Sequence, residues 1–296
     1  MPKTLQQQQL QTLKRRDKTI LVRRKKGSPA PMRTDASLKK NAASSSQKTL
    51  NAFISIKKVP TDPILSMDAF KNSVSALEAF NLDDIESANA VGTVLAPLPE
   101  QTLLLPVSRT AKPTLVLDLD LTLISSDFSN THAPNKWGLS PKLCYHRGAP
   151  FGLFLRPGVV NFIQWASTLF ELVIFTAGEG RYAETVLGHI DPDNLIRHRL
   201  SRSDCRPFRR RDLVKDLDQL GRPLERVVAV DDRLVSFGRH LSNLIPVPPF
   251  TGEPDDVLVS LKPMLKSLVD SEDIPGRLAK VLKTEERVVN RLRAAN

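Results

Sequence analysis

Apolar residues in this chain gather into short unbroken runs separated by segments of helical periodicity, beginning near Pro113. Residues 114–117, 172–175, 227–230 and 244–247 are apolar almost throughout, as expected of strands buried on both faces of a parallel sheet. After the first run a polar stretch extends through Lys136, and then residues 142–145 and 151–155, separated by a polar turn, read as a β-hairpin. Residues 159–169 place Val160, Phe162, Ile163 and Trp165 on one helical face, and 181–189 read as a second helix. Two further helices are predicted at 257–269 and 274–293, the latter with Pro275 in its first turn, where a missing N–H costs nothing. Strands alternating with helices predict an α/β fold, a parallel sheet flanked by helices with a small hairpin insertion.

Upstream of the sheet the pattern weakens. Residues 66–80 predict an amphipathic helix with Met67, Phe70, Val74, Leu77 and Phe80 on one face, after which Pro97 and Pro99 mark a loop. Residues 1–60 are rich in Gln, Lys, Arg and Ser and poor in apolar groups, too poor to offset the entropy of ordering, so they read as a disordered basic arm. The chain thus divides into an arm (1–60), a linker with a short helix (61–112), an α/β body (113–271) and a C-terminal helix (272–296).

Charge sharpens that division. The arm holds 15 Lys and Arg against Asp17 and Asp35, whereas the other 236 residues carry 28 basic and 30 acidic groups. Clustered positive charge concentrates anionic partners. Lys14-Arg15-Arg16 and Arg23-Arg24-Lys25-Lys26 resemble clusters read by nuclear import receptors, which points to the nucleus; a merely solvated charged tail, a mitochondrial transit peptide, and an interaction scaffold whose arm touches nucleic acid are the competing readings. Gln47, Leu50 and Phe53 have the spacing of sliding-clamp-binding peptides but lack the second aromatic, which favours chance. Two cysteines, Cys144 and Cys205, are too few for a disulfide framework or a four-ligand zinc site and fit a reducing compartment. No apolar run reaches bilayer-spanning length, so a soluble protein, nuclear or alternatively mitochondrial or cytoplasmic, is expected.

The candidate chemistry sits where apolar runs end. In a doubly wound sheet, ligands bind beyond the carboxyl ends of the strands, and four runs here end in Asp118/Asp120, Thr176, Asp231/Asp232 and, after Leu213-Val214, Lys215. Alternation puts Asp118 and Asp120 on one side, where like charges push their proton affinities apart and suit a nucleophile beside an acid. Phosphoryl transfer needs that pair, positive charge around the equatorial oxygens and a hard cation held by carboxylate oxygens, with Asp118 and Asp232 the candidate ligands. Each element alone is common; the ordered set of four is not.

The run Leu117-Asp118-Leu119-Asp120-Leu121-Thr122-Leu123, with Leu155-Arg156-Pro157-Gly158, Ile174-Phe175-Thr176-Ala177, Val214-Lys215-Asp216-Leu217 and Val230-Asp231-Asp232, resembles the phosphatases of the RNA polymerase II carboxyl-terminal domain. These include the nuclear-LIM-interactor-like branch and belong to the haloacid dehalogenase superfamily. The resemblance implies a haloacid dehalogenase-like fold and a Mg2+-dependent protein serine/threonine phosphatase acting on a phosphorylated protein. It implies that Asp118 is the nucleophile, Asp120 the acid/base and Thr176 and Lys215 the phosphate holders. Asp118, the carbonyl of Asp120 and Asp232 would bind magnesium, with Asp231 and Thr122 supporting. Two departures from the pattern stand out: Leu121 stands where the family usually has Glu, and Arg233-Leu234 where it usually has Ser or Thr followed by Pro. The 58 positions from Asp118 to Thr176 leave no room for a large cap, so an open cleft is expected. Arg206, Arg209, Arg210 and Arg211 read equally as an attractor for acidic substrate and as a solvated loop. The alternative class is a non-catalytic binding module on the same scaffold, such as a mitochondrial import receptor-like protein or a nuclear scaffold.

Overall fold

The computed structural model describes residues 68–96, 104–209 and 212–295; the basic arm, its import-type clusters and the sliding-clamp-like peptide lie outside them. Five parallel strands form the central sheet: β1 (Thr114–Leu117), β5 (Glu171–Phe175), β6 (His198–Leu200), β9 (Val227–Asp231) and β10 (Leu244–Pro246). Their order is β10-β9-β1-β5-β6, which puts β1 at the centre. Every residue of β1, β5 and β9 is buried, in keeping with apolar runs that carry a polar residue only at one end, Thr114, Glu171 and Asp231.

Side-chain alternation along these strands feeds two cores. Leu115, Leu117, Leu172, Ile174, Val228 and Val230 face helices α3 (Val159–Leu169), α4 (Gly180–Ile190), α5 (Val257–Leu268) and α6 (Ile274–Leu282). Val116, Val173, Phe175, Val227 and Ala229 face the other way, against α1 (Asp68–Ala79), α2 (Leu82–Val94) and α7 (Thr284–Ala295) through Leu77, Ile85, Ala88 and Val288. Helix α2, within a stretch that the sequence reading leaves without an element, buries only Ile85, Ala88 and Val91, so its apolar stripe is thin. Its start is fixed by Asn81, whose side chain accepts from the Asp84 N–H at 2.8 Å. Close approach is what anchors it: a Cβ at Gly238 would fall 2.5 Å from the Ala88 carbonyl oxygen and 2.6 Å from the Val91 Cβ.

The insertion is three-stranded, not a simple hairpin. Strands β3 (Lys142–His146) and β4 (Ala149–Leu155) pair antiparallel, and β2 (Ile124–Asp127) adds to the other edge of β4. Arg147 and Gly148, with φ of 51° and 79°, make the tight two-residue turn between β3 and β4. Strand β2 escapes a sequence pattern because Ser125 and Ser126 are buried polar residues.

The C-terminal element also departs from expectation. Instead of one helix over 274–293, the chain breaks between α6 and α7 at Lys283, which takes the left-handed conformation at φ 52° while its N–H closes on the Ala279 carbonyl. Residues on both sides keep helical spacing, so periodicity carries no mark of the break; the missing signal is a glycine at a position that favours one. Lys283→Gly is expected to stabilise the protein by about 0.5–1 kcal/mol by relieving that conformation, read as a higher urea midpoint. An unchanged or lower midpoint would show that the Lys283–Glu286 ion pair outweighs the backbone cost.

Candidate active site

Central strand β1 delivers Asp118 to the carboxyl edge of the sheet, where its N–H continues the ladder to the Val230 carbonyl at 3.0 Å. The chain then reverses within a few residues. Leu123 and Ile124 donate to the Leu119 carbonyl at 2.9 and 3.1 Å, and Leu121 donates to the Ile124 carbonyl at 2.7 Å. The reversal forces Leu121 to φ 66°, a conformation that costs a residue with a Cβ about 1–2 kcal/mol. Two remote contacts hold it. Phe250 donates its N–H to the Leu121 carbonyl at 2.6 Å, and Arg156, 1% exposed, donates to the Thr122 carbonyl at 2.8 Å. The same guanidinium reaches Asp255 at 2.9 Å and the Pro248 carbonyl at 3.0 Å, so one buried cation ties the turn to the segment after β10. In the sequence Arg156 stands in the Leu155-Arg156-Pro157-Gly158 motif, but nothing local announces that the arginine is buried.

Asp118, Asp231 and Asp232 come together here, all buried, with one carboxylate oxygen of each within 4.8 Å of the others. Lys215 lies among them: its Nζ donates to Asp118 at 2.5 Å and to Asp231 at 2.6 Å. Thr122 donates its hydroxyl to Asp232 at 3.4 Å, and the Arg233 N–H donates to Asp231 at 2.7 Å. Three carboxylates against one ammonium leave negative charge in excess. Burial and the facing Asp118 carboxylate push Asp231 up to about 6, against the pull of Lys215. Burial, with Asp231 and Asp118 behind it, raises Asp232 well above the usual carboxylate range. Burial alone would lower the Lys215 pKa, but the same acids raise it, so the lysine stays charged.

Lys215 does not follow a strand of the main sheet. Residues 212–214 form β8 (Asp212–Val214), paired antiparallel with β7 (Arg206–Phe208) outside it. A two-residue apolar run is too short to be covered on both faces: Val214 is buried, Leu213 only partly. The main chain of Lys215 is placed instead by donation to the Ser236 carbonyl at 2.8 Å.

The model for NLI interacting factor-like phosphatases matches residues 113–275. The chain belongs to this family. It is 36% identical over 162 residues to a probable C-terminal domain small phosphatase of Dictyostelium discoideum, a match covering 54% of this chain and 52% of the relative. It is 35% identical over 182 residues to the mitochondrial import inner membrane translocase subunit TIM50 of Phytophthora infestans, covering 60% of this chain and 38% of that one. A solved structure of the fission yeast RNA polymerase II CTD phosphatase Fcp1, bound to beryllium fluoride, aligns with 62% of this chain and 55% of its own at TM-score 0.40 and 23% identity. The chain thus spans about half the length of the curated relatives it matches.

The other family-motif residues lie at the same edge but in separate contacts. Asp120, half-buried, accepts through Oδ1 a short hydrogen bond from the Tyr182 hydroxyl, which also meets Ser126 Oγ at 2.9 Å. Tyr182 sits on α4 with its ring 5.5 Å from Phe151 and 6.3 Å from Phe128. Sequence reading missed it because on a helix it counts as one more inward aromatic. Thr176, 1% exposed, ends β5 beside β1 and accepts the Gly178 N–H at 2.9 Å. Arg233, the departure beside the acids, donates to Asp212 at 3.0 Å.

Of the basic group before Lys215, Arg206 is an internal ion-pair partner of Asp216, which His240 and Arg239 also contact. His240 and Arg206 hold Asp216 at about 2 despite its burial. These guanidinium groups also fill the second acidic cluster, Asp216, Asp218 and His240, where a cation would otherwise be considered. Arg209 stacks near Phe208 and donates to Ser87 at 3.2 Å, while Arg210 and Arg211 lie outside the described residues. Cys205 donates to the Thr176 carbonyl at 3.6 Å, and burial pushes its thiol up to about 12, which leaves it inert.

Crowded acids have a measurable sign. A carboxyl whose pKa is raised by folding is protonated more readily in the fold than in the unfolded chain, so its ionised form costs stability in full above the folded pKa and nothing well below the unfolded one. Without bound metal, Asp232→Asn is therefore expected to stabilise the protein at pH 8 by on the order of 1–3 kcal/mol. The gain should shrink as the pH falls toward the ordinary carboxylate range of about 4. Denaturant titrations across that range decide it, and a destabilised variant at pH 8 would rule out net repulsion.

Proposed function

We propose that this chain is a magnesium-dependent protein serine/threonine phosphatase working through an aspartyl-phosphate on Asp118. The observation that carries the reading is the buried Lys215 ammonium, bonded to Asp118 and Asp231 at the carboxyl end of the central strand beside Asp232. Membership of a phosphatase family supports it.

In the proposed reaction a carboxylate oxygen of Asp118 attacks phosphorus in line. The bond from phosphorus to the ester oxygen breaks as Asp120, entering protonated, gives its proton to the leaving alkoxide. In the second step Asp120 takes a proton from water as that water attacks phosphorus, releasing inorganic phosphate and restoring Asp118. Tyr182, bonded to Asp120 Oδ1, sets the orientation of that carboxyl in both steps. Lys215 and the Thr176 hydroxyl, with the N–H groups after it, are assigned to the transferring oxygens. Three buried carboxylates, with the proton affinity of Asp231 and Asp232 raised, are a donor set suited to a hard divalent cation. Magnesium held by Asp118, Asp232 and the Asp120 carbonyl would neutralise the acids and admit a phosphate dianion.

The substrate we favour is a phosphorylated protein segment, with the RNA polymerase II carboxyl-terminal domain or another nuclear phosphoprotein as the specific candidate and the nucleus as the compartment. Support comes from an insertion of three short strands rather than a covering domain and from the name of the Dictyostelium relative. The TIM50 relative keeps a second reading open, a presequence-type binding module in mitochondria. The intact set of Asp118, Asp120, Thr176, Lys215 and Asp232 favours the enzyme. Among the described residues no helix is long and apolar enough to cross a membrane.

Asp118→Asn is expected to lower hydrolysis of an aryl phosphate by about a thousandfold or more while leaving the thermal unfolding transition cooperative, since Asn keeps the shape and an acceptor for Lys215. Undiminished turnover would remove the nucleophile assignment. Excess chelator should bring turnover to background and added magnesium should restore it; activity that survives chelation would remove the metal from the mechanism. A panel of serine-, threonine- and tyrosine-phosphorylated peptides then tests the substrate class, tyrosine preference being the contrary outcome.

A further inference from the structure

At the opposite end of the sheet, where strands β1, β5 and β6 begin, a cavity of about 390 Å³ opens beside Phe170, Leu172 and Leu195. Along β5 this end lies roughly 16 Å from Thr176 at the typical rise of a strand. Phe170 and Leu172 are buried and Leu195 half-buried, so the floor is apolar. Arg109, Lys112 and Arg197 line the opening, all exposed. Their positive charge is uncompensated: none of the three has a carboxylate within ion-pair distance among the described residues, and Lys112 donates only to the Ser167 carbonyl at 2.8 Å.

The one acid lining the cavity, Glu171, is already satisfied. It accepts from Arg222 at 2.8 and 3.0 Å and meets His198 at 3.2 Å. Burial works against its ionised form, but Arg222 and His198 keep its pKa below the usual value. The wall is also fixed in shape. Arg197 donates its backbone N–H to the Leu172 carbonyl at 2.9 Å, and Thr110 takes part in two short turns, accepting from the Lys112 N–H at 3.1 Å and donating its own to Ser108 at 3.3 Å.

A concave apolar floor with a few convergent charged groups of one sign selects a ligand with an apolar body and an oppositely charged head. We propose that this cavity is a second binding site, for a small organic anion bearing a carboxylate or phosphate group, separate from the phosphatase site. The proposal depends on neither the nucleophile nor the metal.

Titration calorimetry on the full chain with 2-naphthoate as probe tests it. Saturable one-to-one binding is expected, weakened about tenfold or more by Arg109→Glu with Arg197→Glu, both at exposed positions where folding is checked by circular dichroism. Neutral 2-naphthol should bind correspondingly more weakly, and Asp118→Asn should bind naphthoate as the unaltered chain does, which separates this site from the catalytic one. No binding, affinity indifferent to the charge reversal, or binding lost with Asp118→Asn would each overturn the proposal. So would capture of a Glu-rich nonapeptide without capture of naphthoate, which would mark the cavity as a peptide site instead.

Discussion

A single ammonium set among three buried carboxylates governs much of this structure. Each buried ion loses several kcal/mol of hydration, and Lys215 can offset that loss only where its Nζ reaches Asp118 and Asp231 together, at 2.5 and 2.6 Å. The two acids ride on β1 and β9, neighbours in the sheet, so their spacing is fixed by the ladder. The lysine has no such rail. It is carried by a short antiparallel pair outside the sheet and by the Ser236 carbonyl, which makes the 3-10 segment Leu234–Phe237 and the α2 helix packed on it part of the apparatus that positions the cation. The tight meeting of Gly238 with Ala88 and Val91 therefore has a consequence at the opposite end of a chain of contacts, beside Asp118.

The turn after Asp118 follows a related logic. To project both Asp118 and Asp120 from one strand end and still feed β2, the chain must fold back within four residues, and Leu121 takes a backbone conformation usually left to glycine or asparagine. Such strain persists only when the surroundings over-determine it. Here they do so through Phe250 and through Arg156, whose buried guanidinium joins Thr122, Pro248 and Asp255. Leu121 is itself only 8% exposed, so an apolar residue here is compatible with burial and adds no further carboxylate to an acid-rich edge.

How much of this is legible in the sequence depends on whether a signal is periodic. The buried strands and helix α3 follow from unbroken apolar runs and helical spacing, and α3 is observed at the residues predicted, Val159–Leu169. The meeting of Asp118, Lys215, Asp231 and Asp232 follows from the rule that strand ends converge, although the rule assigns Lys215 to the wrong kind of strand. Elements that escape are those stabilised by single contacts instead of by a repeating pattern: β2 with its buried serines, α2 with its three small or medium buried residues, and the break at Lys283. Tyr182 and the burial of Arg156 escape for the same reason, because the partners of these side chains, Asp120 and Asp255, are distant in sequence.

Charge is where sequence and structure diverge most, and the divergence is physical. Coulomb energy depends on what lies within a few ångströms, not on what lies within a few residues. Arg206 belongs to the densest basic cluster of the body by sequence, yet its charge is spent on Asp216 inside the protein and has none left to attract a substrate. Arg109, Lys112 and Arg197 are scattered over 89 positions and form no motif, yet they line one cavity with an apolar floor, where the single lining acid, Glu171, is paired with Arg222 and not with them. A run of like charges in a folded domain must find counter-charges or face water, so its members disperse into separate pairs. Cations gathered from different elements without counter-charges are the rarer arrangement, because their mutual repulsion is tolerated only where nothing has been selected to cancel it.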